Sequence, residues 1–323
     1  MGRLQPPTPK QNPGLTAKPG IKHKEYPVKW LSALSFLLLS SVLPASPIVL
    51  VDDGQREVTL PGPAQRIVSL APHITEVLFA AGAGDRIVGT VSYSDFPEAA
   101  KAIPLVGSYN QVNFERILAM NPDLIIGWYE GNSAETVEKL SLLKVPVYMS
   151  DPKTMDSISR NIRQFGVLTG TEAIADQAAA QYDARRAELQ QANANKPPVK
   201  VFYQVWEDPL YTLAGGHFIT DLYHLCGGVN VFGDLSEASP IVSVEAIVTR
   251  NPQVMLTGGH HGKRSIDNWK QKWETWGSMD AVKHNLMFFV DQDMYTRSTP
   301  RTVDAAEHLC GILDKARKVY YPQ

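Results

Sequence analysis

Apolar residues in this chain fall into short runs of four or five, set between longer stretches with apolar positions at helical spacing. Residues 66–70 predict a strand, 75–81 an apolar helix stopped by Gly82, and 87–91 a second strand. Next come a helix over 112–120, a strand over 123–127, a helix over 134–143 and a strand over 145–149. This βαβ rhythm implies a parallel sheet with helices on both faces. Ahead of it, 48–63 reads as an extended lead with a turn at Asp52-Asp53-Gly54. From 155 to 192 the pattern changes. No proline interrupts it, and Ile158, Ile162, Phe165, Leu168, Ile174 and Ala175 keep helical spacing, with a bend at Gly170-Thr171-Glu172. Asn195-Lys196-Pro197-Pro198 then reads as a linker. A second alternation follows: strand 200–205, helix 219–226 closed by Gly227-Gly228, helix 244–250, strand 254–257, helix 266–276, strand 287–290 and helix 303–319. The expected fold is α/β, with two Rossmann-like lobes of parallel sheet (46–150 and 199–323) joined through 151–198 by a long rigid α-helix. A ligand cleft is expected between the lobes.

One motif is written in both lobes. Glu115-Arg116-Ile117-Leu118-Ala119-Met120-Asn121-Pro122 precedes the run Asp123-Leu124-Ile125-Ile126. Glu245-Ala246-Ile247-Val248-Thr249-Arg250-Asn251-Pro252 precedes Gln253-Val254-Met255-Leu256. In each, a glutamate opens a short helix, which suits the positive end of the helix dipole. Asn-Pro then breaks it, because proline lacks the N–H and disfavours helical angles in the residue before it. The motif predicts two similar lobes, each presenting one acidic residue at a matching place.

Composition adds compartment. The 323 residues, 44% hydrophobic and 20% charged, can bury a sizeable core. Residues 1–45 carry six basic side chains against Glu25 and run into a 14-residue apolar stretch, Trp30 to Leu43, then Pro44-Ala45-Ser46. A charged lead, an apolar run and a small-residue exit read as a secretory signal peptide; the alternative is an uncleaved anchor, for which the run is short. Without this segment 25 basic residues face 32 acidic ones, a balance with no electrostatic case for nucleic acid. Cys226 and Cys310 are the only cysteines. In an exported chain the pair reads as one disulfide, with two buried thiols as the alternative.

Catalytic signatures are absent from the sequence: no G-x-S-x-G elbow, no H-E-x-x-H, no phosphate-binding loop and no G-x-G-x-x-G after a strand. His260-His261 are adjacent and point their rings apart, so no metal site is expected there. His73, near the end of the first strand, reads as a helix-entry histidine, with metal ligation as the competing role. The better signal is aromatic. Tyr93, Tyr109, Trp128, Tyr129, Trp206 and Tyr211 fall at or just after the C-terminal ends of predicted strands, the edge where open α/β sheets bind ligands. Drawn from both lobes, they predict a cleft with flat apolar walls for a large planar ligand.

Several segments resemble the periplasmic cobalamin-binding proteins of vitamin B12 ABC importers. They are Ser92-Tyr93-Ser94-Asp95-Phe96-Pro97, Asn113-Phe114-Glu115, Asn121-Pro122-Asp123, Trp128 with Gly131-Asn132, Leu225-Cys226-Gly227-Gly228 with Asn230, Arg297-Ser298-Thr299-Pro300-Arg301, and Cys310. The resemblance spans about 64–315, and the wider class includes haem- and siderophore-binding proteins. It implies capture of cobalamin, as cargo rather than cofactor, by an exported protein that is monomeric when free and not an enzyme. It implies ligand contacts from Tyr93, Trp128 and the segment Asp293-Met294-Tyr295-Thr296-Arg297. It also implies docking of Glu115 and Glu245 onto arginines of the permease, and a Cys226–Cys310 disulfide. Tyr109 stands where the compared family member has tryptophan, and no aromatic residue lies near Ser239-Pro240. Haem or a ferric siderophore is the competing cargo, and a secreted α/β enzyme the competing class.

Overall fold

The computed structural model describes residues 46–259 and 263–322. The signal-peptide segment and His260-His261 therefore lie outside the described residues. The lead is a hairpin, β1 (Ile48–Val51) against β2 (Glu57–Leu60). The first lobe then runs β3 (Ile67–Ser69), α1 (Pro72–Ala80), β4 (Ile87–Gly89), the two-residue strands β5 (Gly107–Ser108) and β6 (Gln111–Val112), α2 (Phe114–Ala119), β7 (Leu124–Trp128), α3 (Ala134–Ser141) and β8 (Val147–Ser150). Its sheet has the order β4-β3-β7-β8, parallel throughout.

The helical stretch is α4 (Met155–Thr169) and α5 (Glu172–Asn193). This corrects the single spine. Gly170 sits at φ 64, the left-handed value that ends a helix and that glycine adopts without a Cβ penalty. The chain folds back, and α4 and α5 pack together, bridged by Ser159 Oγ and Arg163 Nη2 donating to Asp183 at 2.8 and 2.9 Å. The connector proper is the 22-residue α5, tied onward through a Tyr182–Thr302 hydroxyl pair at 2.9 Å and Arg185 Nη2 to Asp304 at 2.7 Å.

The second lobe comprises β9 (Val199–Glu207), β10 (Leu210–Thr212), α6 (Ile219–Leu225), β11 (Gly228–Asn230), α7 (Val244–Arg250), β12 (Val254–Gly258), α8 (Lys263–Glu274), α9 (Asp280–Lys283), β13 (Met287–Val290), α10 (Gln292–Thr296) and α11 (Thr302–Tyr320). Strands β9, β12 and β13 run parallel in that order. The far edge of β9 is shared, β11 parallel at its start and β10 antiparallel at its end.

Strand alternation distributes the core. Leu124 and Ile126 of β7, Val201 and Tyr203 of β9, and Val254 and Leu256 of β12 enter one cluster with Phe165, Ala175, Tyr182 and Leu309, so both sheets pack onto a shared helical layer. Ile125 faces the other way with Ile117 and Leu140, and Met255 with Ile247, Trp269 and Trp273. Each sheet is thus buried on both faces, which explains why its strands read as continuous apolar runs. Cys226 and Cys310 form a disulfide between the end of α6 and α11.

The repeated motif is a structural repeat. Asn113 caps α2 by accepting from Arg116 N–H at 2.9 Å, and Ser243 caps α7 by accepting from Ala246 N–H at 3.2 Å. Asn121 and Asn251 both leave their helices at φ 47, a left-handed angle that asparagine tolerates. Two residues on, the Asp123 carboxylate takes Gln65 and Arg66 N–H at 2.8 and 2.9 Å, while the Gln253 amide oxygen takes Lys200 N–H at 2.9 Å. In each lobe the motif therefore sets the start of the neighbouring strand. Glu115 and Glu245 are exposed. The Glu245 carboxyl is held below its usual range by its own backbone N–H and the Ser243 hydroxyl.

Candidate binding site

The first-lobe site is built on Trp128, the last residue of β7. A Cβ on Gly131 would stand 1.9 Å from the indole, so only glycine lets the ring fold over this loop. Asn132, which is buried, holds the turn by accepting from Trp128 N–H at 2.7 Å and donating to Leu70 carbonyl at 3.1 Å and to the Tyr109 carbonyl. The indole Nε1 donates to Asp151 at 3.2 Å. Tyr109, between β5 and β6, sits 6.0 Å from the Trp128 ring, so the expected pair is brought together. Tyr93 lies after β4 at φ 68 and is 65% exposed. Large aromatic surface left in water at a strand edge is suited to contact a ligand, since such rings cover much area with few rotamers to freeze.

His73 stands edge-on to Trp128, ring centroids 5.0 Å apart. Burial, reinforced by the nearby Arg297 charge, lowers its pKa to about 3, so the imidazole is neutral at ordinary pH. Its Nε2 is buried without a hydrogen-bond partner. Its place is beneath the aromatic wall, in keeping with the helix-entry role. Among the described residues no cluster of three or more His, Cys, Asp or Glu side chains is arranged to hold a metal ion.

In the second lobe Trp206 and Tyr211 are cross-strand partners in the β9–β10 hairpin, and Trp206 is 61% exposed. Beside them a cavity of about 640 Å³ is lined by Gln204, Trp206, Thr257, Asn268, Trp269 and Phe289. Trp269 and Trp273 both donate to Gln204 Oε1, at 2.8 and 2.9 Å, which fixes the floor.

The 293–297 segment departs from expectation. Asp291 caps α10 by accepting from Met294 N–H at 3.2 Å. Tyr295 is 1% exposed; its hydroxyl meets His308 Nδ1 at 3.1 Å and its ring stacks on Tyr203. Burial raises its pKa, and the side chain serves the core instead of facing a ligand. Met294 packs partly against the same core, and Thr296 Oγ1 bonds the Gln292 carbonyl at 2.9 Å. Arg297 is not a free donor. It pairs with Asp293 at 2.9 Å within the segment, and with Glu76 at 3.1 Å and Asp95 at 3.2 Å in the first lobe.

Sequence reasoning missed Glu76. The signal was there: a carboxylate inside the apolar run Ile74 to Phe79 must be buried with the helix and so requires cationic partners. Arg297 and Arg301 supply them. Removing one member of such a buried set typically costs about 3–5 kcal/mol, because the remaining charge is left unpaired.

Two sheets with the same core order of strands, joined by α5 and carrying exposed aromatic residues at both C-terminal edges, define a two-lobed substrate-binding protein. The chain belongs to the periplasmic binding protein family, which it matches over residues 67–294. It is 38% identical over 259 residues to a vitamin B12-binding protein of Vibrio cholerae serotype O1, covering 80% of this chain and 92% of the relative. A vitamin B12-binding protein of Pectobacterium atrosepticum is 35% identical over 254 residues, covering 77% and 88%. Among solved structures, the periplasmic vitamin B12 binding protein BtuF of Vibrio cholerae superposes with a TM-score of 0.73 at 38% identity, covering 80% of this chain and all of that one. The periplasmic heme-binding protein RhuT from Roseiflexus sp. RS-1 gives 0.69 at 26%, covering 78% and 99%.

Proposed function

We propose that this chain is a periplasmic substrate-binding protein that captures cobalamin between its lobes and delivers it to the permease of an ABC importer. The observation that carries this is the pair of aromatic walls, exposed Tyr93 and Tyr109 with half-buried Trp128 on one lobe and exposed Trp206 with half-buried Tyr211 on the other. It is supported by likeness to vitamin B12-binding relatives over nine-tenths of their length. The flat, partly amphipathic rings suit a corrin, whose peripheral amides need hydrogen-bond partners at its rim. Cobalamin is cargo, and no catalysis is assigned. Export by the 1–45 segment, followed by its removal, leaves the 46–150 lobe, the 151–198 connector and the 199–323 lobe as a free monomer.

Haem is the second reading. The exposed Tyr93 hydroxyl offers an iron ligand, and a haem-binding protein is among the structural neighbours. Titration of the purified protein with cyanocobalamin and with hemin, followed by absorbance and calorimetry, separates the two. The proposal expects tight one-to-one cobalamin binding without turnover, and binding of neither ligand refutes it.

Glu115 and Glu245 are assigned to permease docking. Two carboxylates at equivalent helix starts, each able to meet an arginine, give register and steering more than net affinity. Reversing both (Glu115→Arg with Glu245→Arg) is expected to abolish cobalamin-dependent growth while affinity for the ligand stays within two-fold. Growth at the wild-type rate removes the docking role.

A further inference from the structure

Glu76 is the only carboxylate in α1 and is 2% exposed. Its Oε1 accepts Arg297 Nη1 at 3.1 Å and Arg301 Nη2 at 2.7 Å, and its Oε2 accepts Arg301 Nε at 2.8 Å. These bonds join positions 221 and 225 residues apart, from the first lobe to the second. Arg301 also lies over the Phe96 ring, 4.2 Å from its centroid. Arg297 Nη1 also meets Asp95 at 3.2 Å, and its Nη2 meets Asp293 at 2.9 Å.

The exposures form a gradient: Glu76 2%, Arg297 12%, Asp293 20% and Asp95 44%. A buried pair is hard to break, because a charge is left unpaired in low dielectric. A pair with one half-exposed partner is screened and holds weakly. Arg297 Nη1 therefore has a fixed partner in Glu76 and a loose one in Asp95. Each Nη of the rigid guanidinium fork carries two N–H groups, so one N–H of Nη1 can change partner while the other stays on Glu76.

We propose that Glu76 is a positioning residue for ligand capture. It holds Arg297 and Arg301 across the two lobes, while Asp95 is the exchangeable partner that an amide oxygen of the ligand displaces from Arg297. This rests on the reading of the chain as a cobalamin-capturing protein. The ligand chemistry it selects is a neutral rim of carboxamides, since an amide oxygen can replace a screened carboxylate on one edge of the guanidinium without adding charge to the site. The clamp also fixes the separation of the lobes before any ligand arrives.

The test compares Glu76→Gln, Glu76→Asp and Asp95→Asn with the parent, by cyanocobalamin calorimetry and by distances between spin labels at Glu138→Cys and Glu274→Cys in the ligand-free protein. Both natural cysteines are in the disulfide, so the labels are specific. Glu76→Gln is expected to weaken binding tenfold or more and to broaden the distance distribution. Glu76→Asp is expected to restore part of both, and Asp95→Asn to tighten binding about two-fold with distances unchanged. A purely structural carboxylate would not give opposite signs at Glu76 and Asp95. Unchanged affinity and distances in Glu76→Gln overturn the proposal. So does weakened binding in Asp95→Asn, an exposed change that stands even if Glu76→Gln does not fold. If the parent binds no cobalamin yet Glu76→Gln broadens the distances, the cargo assignment fails and the clamp survives; narrow distances in Glu76→Gln refute the clamp whatever the parent binds.

Discussion

The two lobes share a scaffold and differ at their mouths. At the helix–strand motif they agree closely: Asn121 and Asn251 turn at the same φ of 47, Ile117 and Ile247 are fully buried, and Asp123 and Gln253 each accept a backbone N–H at the start of the neighbouring strand. At the opposite edge they part. The first lobe packs Trp128 on Gly131 with a neutral histidine beneath it, whereas the second extends a hairpin bearing Trp206 and buries two further tryptophans on Gln204. The end that repeats carries the two exposed glutamates, and the end that diverges carries the aromatic walls. A symmetric partner surface needs matched geometry, while an asymmetric ligand needs two different faces.

The largest expected effect breaks the symmetry at the disulfide, which the second lobe alone possesses. Closing a loop of 84 residues stabilises by about 4.5 kcal/mol in the chain-entropy model, so Cys226→Ser with Cys310→Ser should lower the denaturation free energy by that order. A loss below about 1 kcal/mol in chemical denaturation would show that the reduced lobe is already ordered.

Next is pH. The folded pKa of His73, about 3, lies below its ordinary 6.5, so the unfolded chain takes up a proton that the folded one refuses. Stability from this group is complete above 6.5 and falls as pH drops toward 3, by about 1.4 kcal/mol per unit at full slope. His217, in the second lobe, is lowered by burial only to about 4, against a backbone hydrogen bond to Thr296 that raises it. Denaturation midpoints of His73→Gln should therefore show a shallower acid slope that persists to lower pH than the change in His217→Gln. An unchanged slope in His73→Gln contradicts the buried neutral imidazole.

The smallest effects sharpen the repeat itself. Asn251 makes two bonds to Asp280, donating at 3.0 Å and accepting its N–H at 2.9 Å, in addition to tolerating the left-handed angle. Asn251→Gly should cost about 1–2 kcal/mol. Asn121→Gly, which loses no such pair, should stay within about 0.5 kcal/mol, because glycine adopts the angle freely. Thermal denaturation of the two variants checks the ranking.

Much of this was legible because each sheet, buried on both faces, writes its strands as apolar runs, and because Asn-Pro punctuates both lobes. The three-residue strands β10 and β11 were not, since they are defined by pairing with β9 rather than by a pattern of their own. The fold-back at Gly170 was visible only as a bend, because helical periodicity continues on both sides of it. Aromatic residues in polar loops do sit at strand edges, Trp128 at the end of β7 and Tyr93 after β4. Tyr295, expected at the ligand from the family resemblance alone, has polar neighbours in Asp293 and Thr296 while its ring turns inward to Tyr203. Glu76 inside an apolar run signals the need for a cationic partner, but that the partner is Arg297, 221 residues away, is something no local pattern carries.

If the proposed function holds, both mouths grip one ligand. Calorimetric titration of the parent, Trp128→Ala and Trp206→Ala with cyanocobalamin tests it most directly. The expected result is one site in the parent and at least tenfold weaker binding in each variant, as loss of about 1.4 kcal/mol or more of aromatic contact requires. Binding that depends on one tryptophan and is indifferent to the other would contradict it.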